Sequence, residues 1–369
     1  RSPTVTGVQT CALPILFLLI SYYRLFCGAK QVLRIINPAN IDTSHLKYAT
    51  IIKIIISYNL GGPMIALLLF KQIFVLFLMM GMGCAIVKGR FLKSDDSKIL
   101  STVCLYLVVP CMQIKAFQVH YTNTVRNGFL LALTAAVLIH ILLFAITYAF
   151  KRPLHLTDEE TGSILYSNAG NLIVPLVTAI LGASWVIYAS AFMFVQGILL
   201  WSHGKAIMQR QKNFNLLQIF GNINIAATLL GAALFFCRIK LTGIIANTIS
   251  GVAAMIGPIS MIAIGMILAN VQWGKLFTNR RIYWIVALKM IVLPTVILLI
   301  LKYTPLHTLL PQGRMILLVS LLAVIAPSGA TIPQMAQLYG RNADYASSIN
   351  VITTLICIVT MPLLTLFYL

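Results

Sequence analysis

Long apolar stretches follow one another along most of this 369-residue chain. From residue 64 onward there are ten, each near or somewhat above the roughly 17–25 residues that a helix needs to cross a bilayer. Lipid offers the backbone no hydrogen-bonding partner, so stretches of this length must be helical. We therefore expect an all-α integral membrane protein. The predicted spans are approximately 64–87, 99–117, 128–150, 160–182, 185–204, 215–237, 244–269, 281–301, 312–338 and 345–369.

The composition excludes the other broad classes of protein. Hydrophobic residues make up 60% and charged residues 9% of the chain, whereas soluble domains are roughly 45–50% apolar and about 25% charged. The seven cysteines are an odd number without a CxxC pair, which argues against a disulfide scaffold. The net charge of +20 comes from short basic clusters between spans rather than from a basic face rich in aromatic residues. No nucleic-acid partner is therefore expected.

The first 63 residues differ from the rest of the chain. Residues 1–15 look like a translated sequencing adapter, and such a segment is excluded from fold reasoning. The apolar runs at 16–26 and 51–60 are shorter than a membrane span, and each contains a basic residue. We interpret Met64 as the natural start and residues 1–63 as a non-native leader. The competing interpretation is one additional amino-terminal helix.

The basic residues of the loops predict the orientation in the membrane. Loops after the odd-numbered spans hold 13 Lys and Arg, and the opposite loops hold 6. Lys and Arg are retained on the cytoplasmic side, so the richer side is predicted to be cytoplasmic. Both termini would then lie on the extracytoplasmic side of the cell membrane.

Ten spans divide into two halves of five, 64–210 and 211–369, and an odd number makes the second half inverted relative to the first. Prolines occupy the second and fourth spans of each half at similar separations, 65 and 69 residues: Pro110 and Pro175, Pro258 and Pro327. Inverted repeats with helices interrupted at matching positions are typical of secondary transporters. Their site lies where the broken helices meet.

Two segments carry most of the functional signal, SNAGNLIVP at 167–175 and APSGATIP at 326–333. Each puts small or amide side chains and a glycine ahead of a proline, and proline both removes a backbone donor and clashes with the preceding turn. We expect the fourth and ninth spans to break there and to cross. Pro175 and Pro333 would then start the second half-helices, because proline is favoured at that position.

Half-helices that begin at mid-membrane direct free N–H groups and positive dipole ends at the same point, which suits an anion. Polar side chains of both segments would add hydrogen bonds to a carboxylate. The candidate substrate-binding residues are Asn168, Gly170, Asn171, Pro175, Pro327, Ser328, Gly329, Thr331 and Pro333. The alternative is that both segments are ordinary membrane kinks whose Asn residues bond between helices.

The chain from Met64 to its end resembles the auxin efflux carrier family, which includes plant PIN-type carriers and bacterial malonate-type permeases. The motifs that carry the resemblance are SNAGNLIVPL and APSGATIPQMAQLYG, with weaker matches in YLVVPCMQI and IGPISMIAIGM. It implies that Asn168 contacts substrate and that Pro175 is the crossover proline. It also implies a scaffold part and a crossover part that move against each other.

The chain departs from the family pattern at three points. Asn171 replaces an apolar or aromatic residue, and the spacing from Gly329 to Pro333 is one residue longer than in the plant proteins. No long hydrophilic loop joins the halves, so regulation by phosphorylation of such a loop is not expected.

The acidic residues after Met64 lie in loops or at predicted helix ends, so no mid-membrane carboxylate is available to carry a proton or to hold sodium. Sodium bound by unwound carbonyls together with Asn and Ser oxygens stays open. Thr157 and Glu160 form a T-x-x-E capping box for the fourth span. Lys289 is expected either to complement an anion or to pair with carbonyls, and His140 is expected to pack rather than to relay protons.

An enzyme is not expected, because HExxH is absent and the six histidines are isolated in the sequence. No cofactor is expected either. The predicted function is a secondary carrier of small organic anions, principally carboxylates, that works by alternating access. The alternatives are a sodium-coupled organic-anion symporter and a non-transporting sensor on the same fold. The substrate, the coupling ion (H⁺ or Na⁺) and a possible homodimer are left open.

Overall fold

The computed structural model describes the backbone of residues 46–210, 221–269 and 280–369, and their side chains from residue 67 onward apart from 337 and 338. All regular elements within these ranges are helical. They are α1 (Leu46–Lys88), α2 (Ser94–Ala116), α3 (Asn123–Lys151), α4 (Asp158–Leu165), α5 (Ala169–Ile180), α6 (Ala183–Gln209), α7 (Ile223–Phe236), α8 (Gly243–Leu268), α9 (Arg280–Tyr303), α10 (Gly313–Ile325), α11 (Thr331–Leu338) and α12 (Ala343–Tyr368).

Seven of the described helices are long and apolar enough to cross a membrane, which confirms the all-α membrane class. They are α2, α3, α6, α8, α9, α12 and residues 67–88 of α1. The other three predicted spans correspond to shorter helices: the fourth to α4 and α5, the sixth to α7, and the ninth to α10 and α11. The count of ten spans in two inverted repeats stays a prediction.

The predicted domain boundaries at residues 64 and 211 stay predictions. Helix α1 begins at Leu46, before the predicted first span at 64–87. Residues 1–45 and 211–220 lie outside the described part of the chain.

Polar side chains begin several of these helices. The Thr122 hydroxyl accepts a hydrogen bond from the backbone of Val125 at the start of α3. The side chains of Asn222 and Asn342 do the same for α7 and α12. The first N–H groups of a helix have no partner within it, so such caps fix where each helix starts.

The helices of residues 61–369 pack in two groups. Helix α2 packs against α7 and α8, and α1 contacts α8 closely. Helices α3, α6 and α10 pack on one another, while α12 packs on α4, α9, α10 and α11. Helix α5 reaches from the second group to α8 of the first. The broken spans therefore belong to one group and face the other through α5.

Three helices contain a π-helical turn, which is wider than an α-helical turn, just ahead of a proline. Proline lacks an N–H, and its ring collides with the carbonyl four residues back, so a wider turn relieves the clash. Each widened segment ends two residues before the proline: Cys104–Val108 before Pro110, Ala169–Ile173 before Pro175, and Leu288–Val292 before Pro294. These helices continue through their prolines instead of stopping there.

Two glycines bring α1 and α8 into backbone contact. A Cβ atom on Gly265 would lie 2.0 Å from the carbonyl oxygen of Met80, and one on Gly83 would lie 2.2 Å from that of Ile262. Small residues allow membrane helices to approach this closely, and packing rather than hydrophobicity holds them together. The pair fixes how α1 and α8 cross.

Gly265→Ala is expected to lower the free energy of unfolding by about 1–3 kcal/mol, because the added methyl group must push two backbones apart. Thermal unfolding in detergent measures the effect. Gly81→Ala is the control, since a Cβ atom there meets nothing within 4 Å. Equal stability of Gly265→Ala and Gly81→Ala would contradict the contact.

Candidate substrate site

Two helical spans are interrupted in the same way. Helix α4 ends at Leu165 and α5 begins at Ala169, while α10 ends at Ile325 and α11 begins at Thr331. The first residue of each break is extended: Tyr166 has ψ 117° and Ala326 has ψ 146°. The interruptions are therefore changes of backbone conformation rather than bends of a continuous helix.

The two breaks pair with each other. The Asn168 N–H donates to the Pro327 carbonyl at 2.8 Å, and the Gly329 N–H donates to the Tyr166 carbonyl at 2.8 Å. Ser167 and Ser328 thereby form a short antiparallel pair. An unpaired backbone group in hydrocarbon costs several kcal/mol, and this exchange removes that cost from both breaks together. The predicted crossing of the fourth and ninth spans is present.

The polar groups of Ser167, in the first break, are held by Gln196 of α6. Its Oε1 accepts from the Ser167 N–H at 3.1 Å and from the Ser167 hydroxyl at 2.9 Å. Its Nε2 donates to the Ser167 carbonyl at 2.8 Å. One amide side chain therefore forms hydrogen bonds with the N–H, the hydroxyl and the carbonyl of Ser167.

The second break is held in a corresponding way by α12. The Thr353 hydroxyl accepts from the Ser328 N–H at 3.1 Å, and the Asn350 side chain donates to the Ser328 carbonyl. Sequence reasoning missed Gln196, Asn350 and Thr353. The available signal was an amide or hydroxyl side chain in the middle of an otherwise apolar span.

The prediction that Pro175 starts the second half-helix is wrong. Helix α5 begins at Ala169 with a widened turn and passes through Pro175. The carbonyl of Asn171, four residues earlier, loses its donor to the proline and accepts from the Ser260 hydroxyl of α8 at 3.3 Å instead. Pro333, in contrast, lies in the first turn of α11, where the missing N–H costs nothing.

The predicted site residues separate into two sets. Asn168, Pro327, Ser328 and Gly329 form the buried crossing itself. The Asn168 side chain, 6% exposed, makes no hydrogen bond to the described residues, and the Ser328 hydroxyl is likewise unpaired among them. The crossing therefore holds two buried polar groups that have no hydrogen-bonding partner among the described residues.

The other predicted residues lie beside cavities. Asn171 and Thr331 line a cavity of about 50 Å³, the Asn171 cavity. Pro333 lines an adjoining cavity of about 230 Å³ that reaches Asp95, the Asp95 cavity. Gly170 is half-buried, and a Cβ atom on it would lie 3.3 Å from the Met193 side chain.

A larger cavity of about 780 Å³, the Lys115 cavity, lies against Pro175. It includes the turn after α2, whereas the Asp95 cavity includes the first turns of α2, so the two lie at opposite ends of that helix. Its walls come from both helix groups and are mostly apolar. Among the residues that the structure describes, Lys115 and His120 are the cationic or titratable ones that line it, and none of the lining residues is acidic.

Comparison with known families decides the class of protein. The chain matches the membrane transport protein family over residues 68–223 and again over 207–365. It belongs to this family. These are the auxin efflux carriers, so the resemblance found in the sequence is confirmed. The transporter is a multi-pass membrane protein with a lipid environment and a small-molecule substrate, and its family is not one of enzymes. No curated protein sequence matches the chain.

A polar cluster ties the first half-helix of this membrane transporter to α9 and α12. The predicted capping box is confirmed, since Thr157 and Glu160 exchange hydrogen bonds between side chain and backbone. The fully buried Glu160 also accepts from the Arg281 guanidinium and from the Tyr345 hydroxyl at 2.7 Å. Glu160 therefore does more than cap α4, because it also anchors that helix to α9 and α12.

Two ionisable residues inside the transporter, Lys289 and His140, are buried. Lys289 is 1% exposed and has no ion pair or hydrogen bond with the described residues, so the predicted pairing with carbonyls is not seen there. The His140 ring lies 4.6 Å from that of Phe192, and its Nδ1 is 2.7 Å from the Ala136 carbonyl oxygen. This environment is that of a packing residue.

Proposed function

We propose that the protein is a carrier of small organic anions, principally carboxylates, which it moves across the cell membrane by alternating access. The observation that carries the proposal is the mutual pairing of the two helix breaks, with cavities that lie at opposite ends of α2. Broken helices that cross near the membrane centre are the common binding architecture of secondary transporters.

The electrostatics of the Lys115 cavity support an anion. Lys115 and His120 line it without an acidic counterpart, and an adjoining cavity of about 190 Å³ carries Arg238 and Lys240. A cleft lined by one sign of charge concentrates ligands of the opposite sign. One lysine among mostly apolar walls favours a carboxylate with an apolar body over a compact dicarboxylate.

The crossing supplies the directional contacts for such a ligand. The Asn168 amide has no other partner among the described residues, and α5 begins at the next residue with its first N–H groups unpaired within the helix. These donors and the positive end of the helix dipole complement a carboxylate.

The contact between the two helix groups is suited to sliding. A Cβ atom on Gly257 of α8 would lie 3.4 Å from Pro175, an ordinary van der Waals distance, and Ser260 makes a 3.3 Å hydrogen bond to Asn171. Small side chains and one polar contact offer little resistance to displacement. A shift of α5 along α8 would open the crossing to one cavity and close it to the other.

The test uses the full chain in liposomes loaded with unlabelled indole-3-acetate or malonate, with the labelled compound outside. Counterflow above that of protein-free liposomes is expected, and it should be larger for indole-3-acetate. In detergent, a carboxylate at 100 times its Kd should stabilise the folded protein by about 2.7 kcal/mol. Stabilisation by cations or neutral solutes alone, without counterflow of either acid, would contradict the proposal.

Lys115→Gln is expected to weaken binding of the transported carboxylate by about 10- to 150-fold, because a hydrogen bond to a charged group contributes roughly 1.5–3 kcal/mol. The Kd from thermal shifts across a ligand series measures the loss. Lys93→Gln is the control, since Lys93 is exposed and lines none of the cavities described above. Unchanged affinity in Lys115→Gln would remove this lysine from the site.

A further inference from the structure

His203 connects two tyrosines inside the second helix group. It lies in a widened turn of α6, Leu200–Gly204. Its Nδ1 is 2.7 Å from the Tyr166 hydroxyl and its Nε2 is 2.6 Å from the Tyr148 hydroxyl. The Tyr166 hydroxyl also donates to the Leu199 carbonyl at 2.9 Å. Both ring nitrogens are therefore engaged, and widened turns of this kind are frequent at functional sites.

The inner end of this chain of hydrogen bonds is the crossing. Tyr166 is the first residue of the fourth-span break, and its carbonyl accepts from the Gly329 N–H of the other break. The turn that carries His203 packs directly on this residue, since a Cβ atom on Gly204 would lie 3.0 Å from the Tyr166 ring. A change at His203 is thus transmitted to the residue that pairs the two breaks.

The outer end of the chain reaches the surface. Tyr148 is 41% exposed, whereas Tyr166 is 1% exposed. The series from Tyr148 through His203 to Tyr166 therefore runs from the outside of the helix group to its interior. A hydroxyl and an imidazole in contact can pass a proton along such a series without either side chain moving far.

Protonation of His203 must rearrange these hydrogen bonds. A neutral imidazole donates from one nitrogen and accepts at the other, while the protonated ring donates from both. One tyrosine hydroxyl therefore has to turn from donor to acceptor. Imidazole is the side chain whose unperturbed charge change lies nearest to neutral pH, which makes a histidine in such a series a candidate for binding a proton.

Several charged residues lie near the outer end of this series. Phe144 packs against the ring at 4.7 Å, and beyond Tyr148 lie Lys151, with Nζ 5.3 Å from the Tyr148 ring centre, and Asp158. Asp158 lies 3.4 Å from Lys151 and also pairs with Arg341 and Arg210. The carboxylate attracts a cationic His203, and Lys151 opposes it.

We infer that His203 is the proton-binding site that couples transport, taking up one proton through Tyr148 for each carboxylate bound at the crossing. This inference rests on the proposed anion carrier. The two charges compensate each other, so the loaded crossing enters the membrane interior with less net charge, where an isolated ion is costly. Proton and carboxylate move together and are released on the same side.

The test compares two transport modes in liposomes that contain the full chain, with labelled indole-3-acetate and malonate as probes. Exchange at equal pH needs no net proton movement, whereas an acidic exterior should drive accumulation, up to about tenfold per pH unit for one proton. The rate of accumulation is compared with that of protein-free liposomes, because the neutral form of a weak acid crosses lipid without a carrier. His203→Gln is expected to lose gradient-driven accumulation, because glutamine cannot take up a proton, and to exchange the carboxylate more slowly than the parent. His307→Gln is the matched control and should keep both.

The outcomes separate this inference from the proposed function. If the parent exchanges the probes but does not accumulate them along a pH gradient, proton coupling is overturned and the proposed carrier function stands. Full accumulation by His203→Gln has the same meaning. No exchange of either probe in the parent overturns both proposals. If His203→Gln loses exchange as well, Tyr148→Phe decides: retained exchange with lost accumulation supports the proton path, and any other result overturns it.

Discussion

Asn168→Ala is expected to abolish measurable transport while leaving the protein folded. The crossing depends on the Asn168 backbone N–H, which donates to Pro327 and is unaffected by the substitution. The side-chain amide has no partner among the described residues, so its removal breaks no internal hydrogen bond. What is lost is a set of donors to the substrate. A hydrogen bond to a charged ligand contributes roughly 1.5–3 kcal/mol, so affinity should fall by about 10- to 150-fold.

Counterflow of labelled indole-3-acetate in liposomes measures the loss, and thermal unfolding in detergent measures the fold. The mutant should unfold at the temperature of the parent and show no ligand-dependent shift. Asn247→Ala is the matched control, because Asn247 is an exposed asparagine of α8. Full transport by Asn168→Ala would mean that the substrate binds elsewhere, and a large loss of stability would mean that Asn168 is structural.

Gln196→Leu is expected to have the largest effect on stability. Leucine has a similar volume but cannot bond Ser167, whose N–H, hydroxyl and carbonyl all lose their partner. Each buried polar group without a partner costs about 1–3 kcal/mol. The free energy of unfolding should therefore fall by about 3–9 kcal/mol for the three groups, and the crossing should lose its alignment together with transport.

Ser190→Ala is the control for this prediction. Ser190 lies on the same helix and is fully buried, but its hydroxyl bonds only to the Val186 carbonyl one turn earlier. That substitution should change the free energy of unfolding by less than about 1 kcal/mol, since such a bond within a helix contributes little. Equal stability of Gln196→Leu and the parent would show that the first break is satisfied in another way.

The sequence predicts both breaks, but not where the helix resumes after the first of them. A proline favours a helix start at Pro175, yet the chain resumes its helix at Ala169 and widens a turn to admit Pro175. The widened turn is tolerated because Ser260 of another helix supplies the donor that the Asn171 carbonyl lacks. A partner 89 residues away in the sequence has no local signature.

The residues that support the crossing were missed for the same reason. Gln196 lies 29 residues from Ser167, and Thr353 lies 25 residues from Ser328. His203, isolated in the sequence, lies 37 residues from Tyr166 and 55 from Tyr148. Polarity inside an apolar span marks such residues as unusual, but only the packing of helices identifies what they bind.

The sequence by itself determined the class of the protein, its apolar spans and the two segments where helices break. Those properties are local, because membrane thickness sets helix length and the residues around a proline decide where a helix is weakened. The tertiary structure alone decided how the breaks pair, which side chains hold them and where the cavities lie. In hydrocarbon every freed backbone group needs a partner, and here those partners come from helices far apart in the chain.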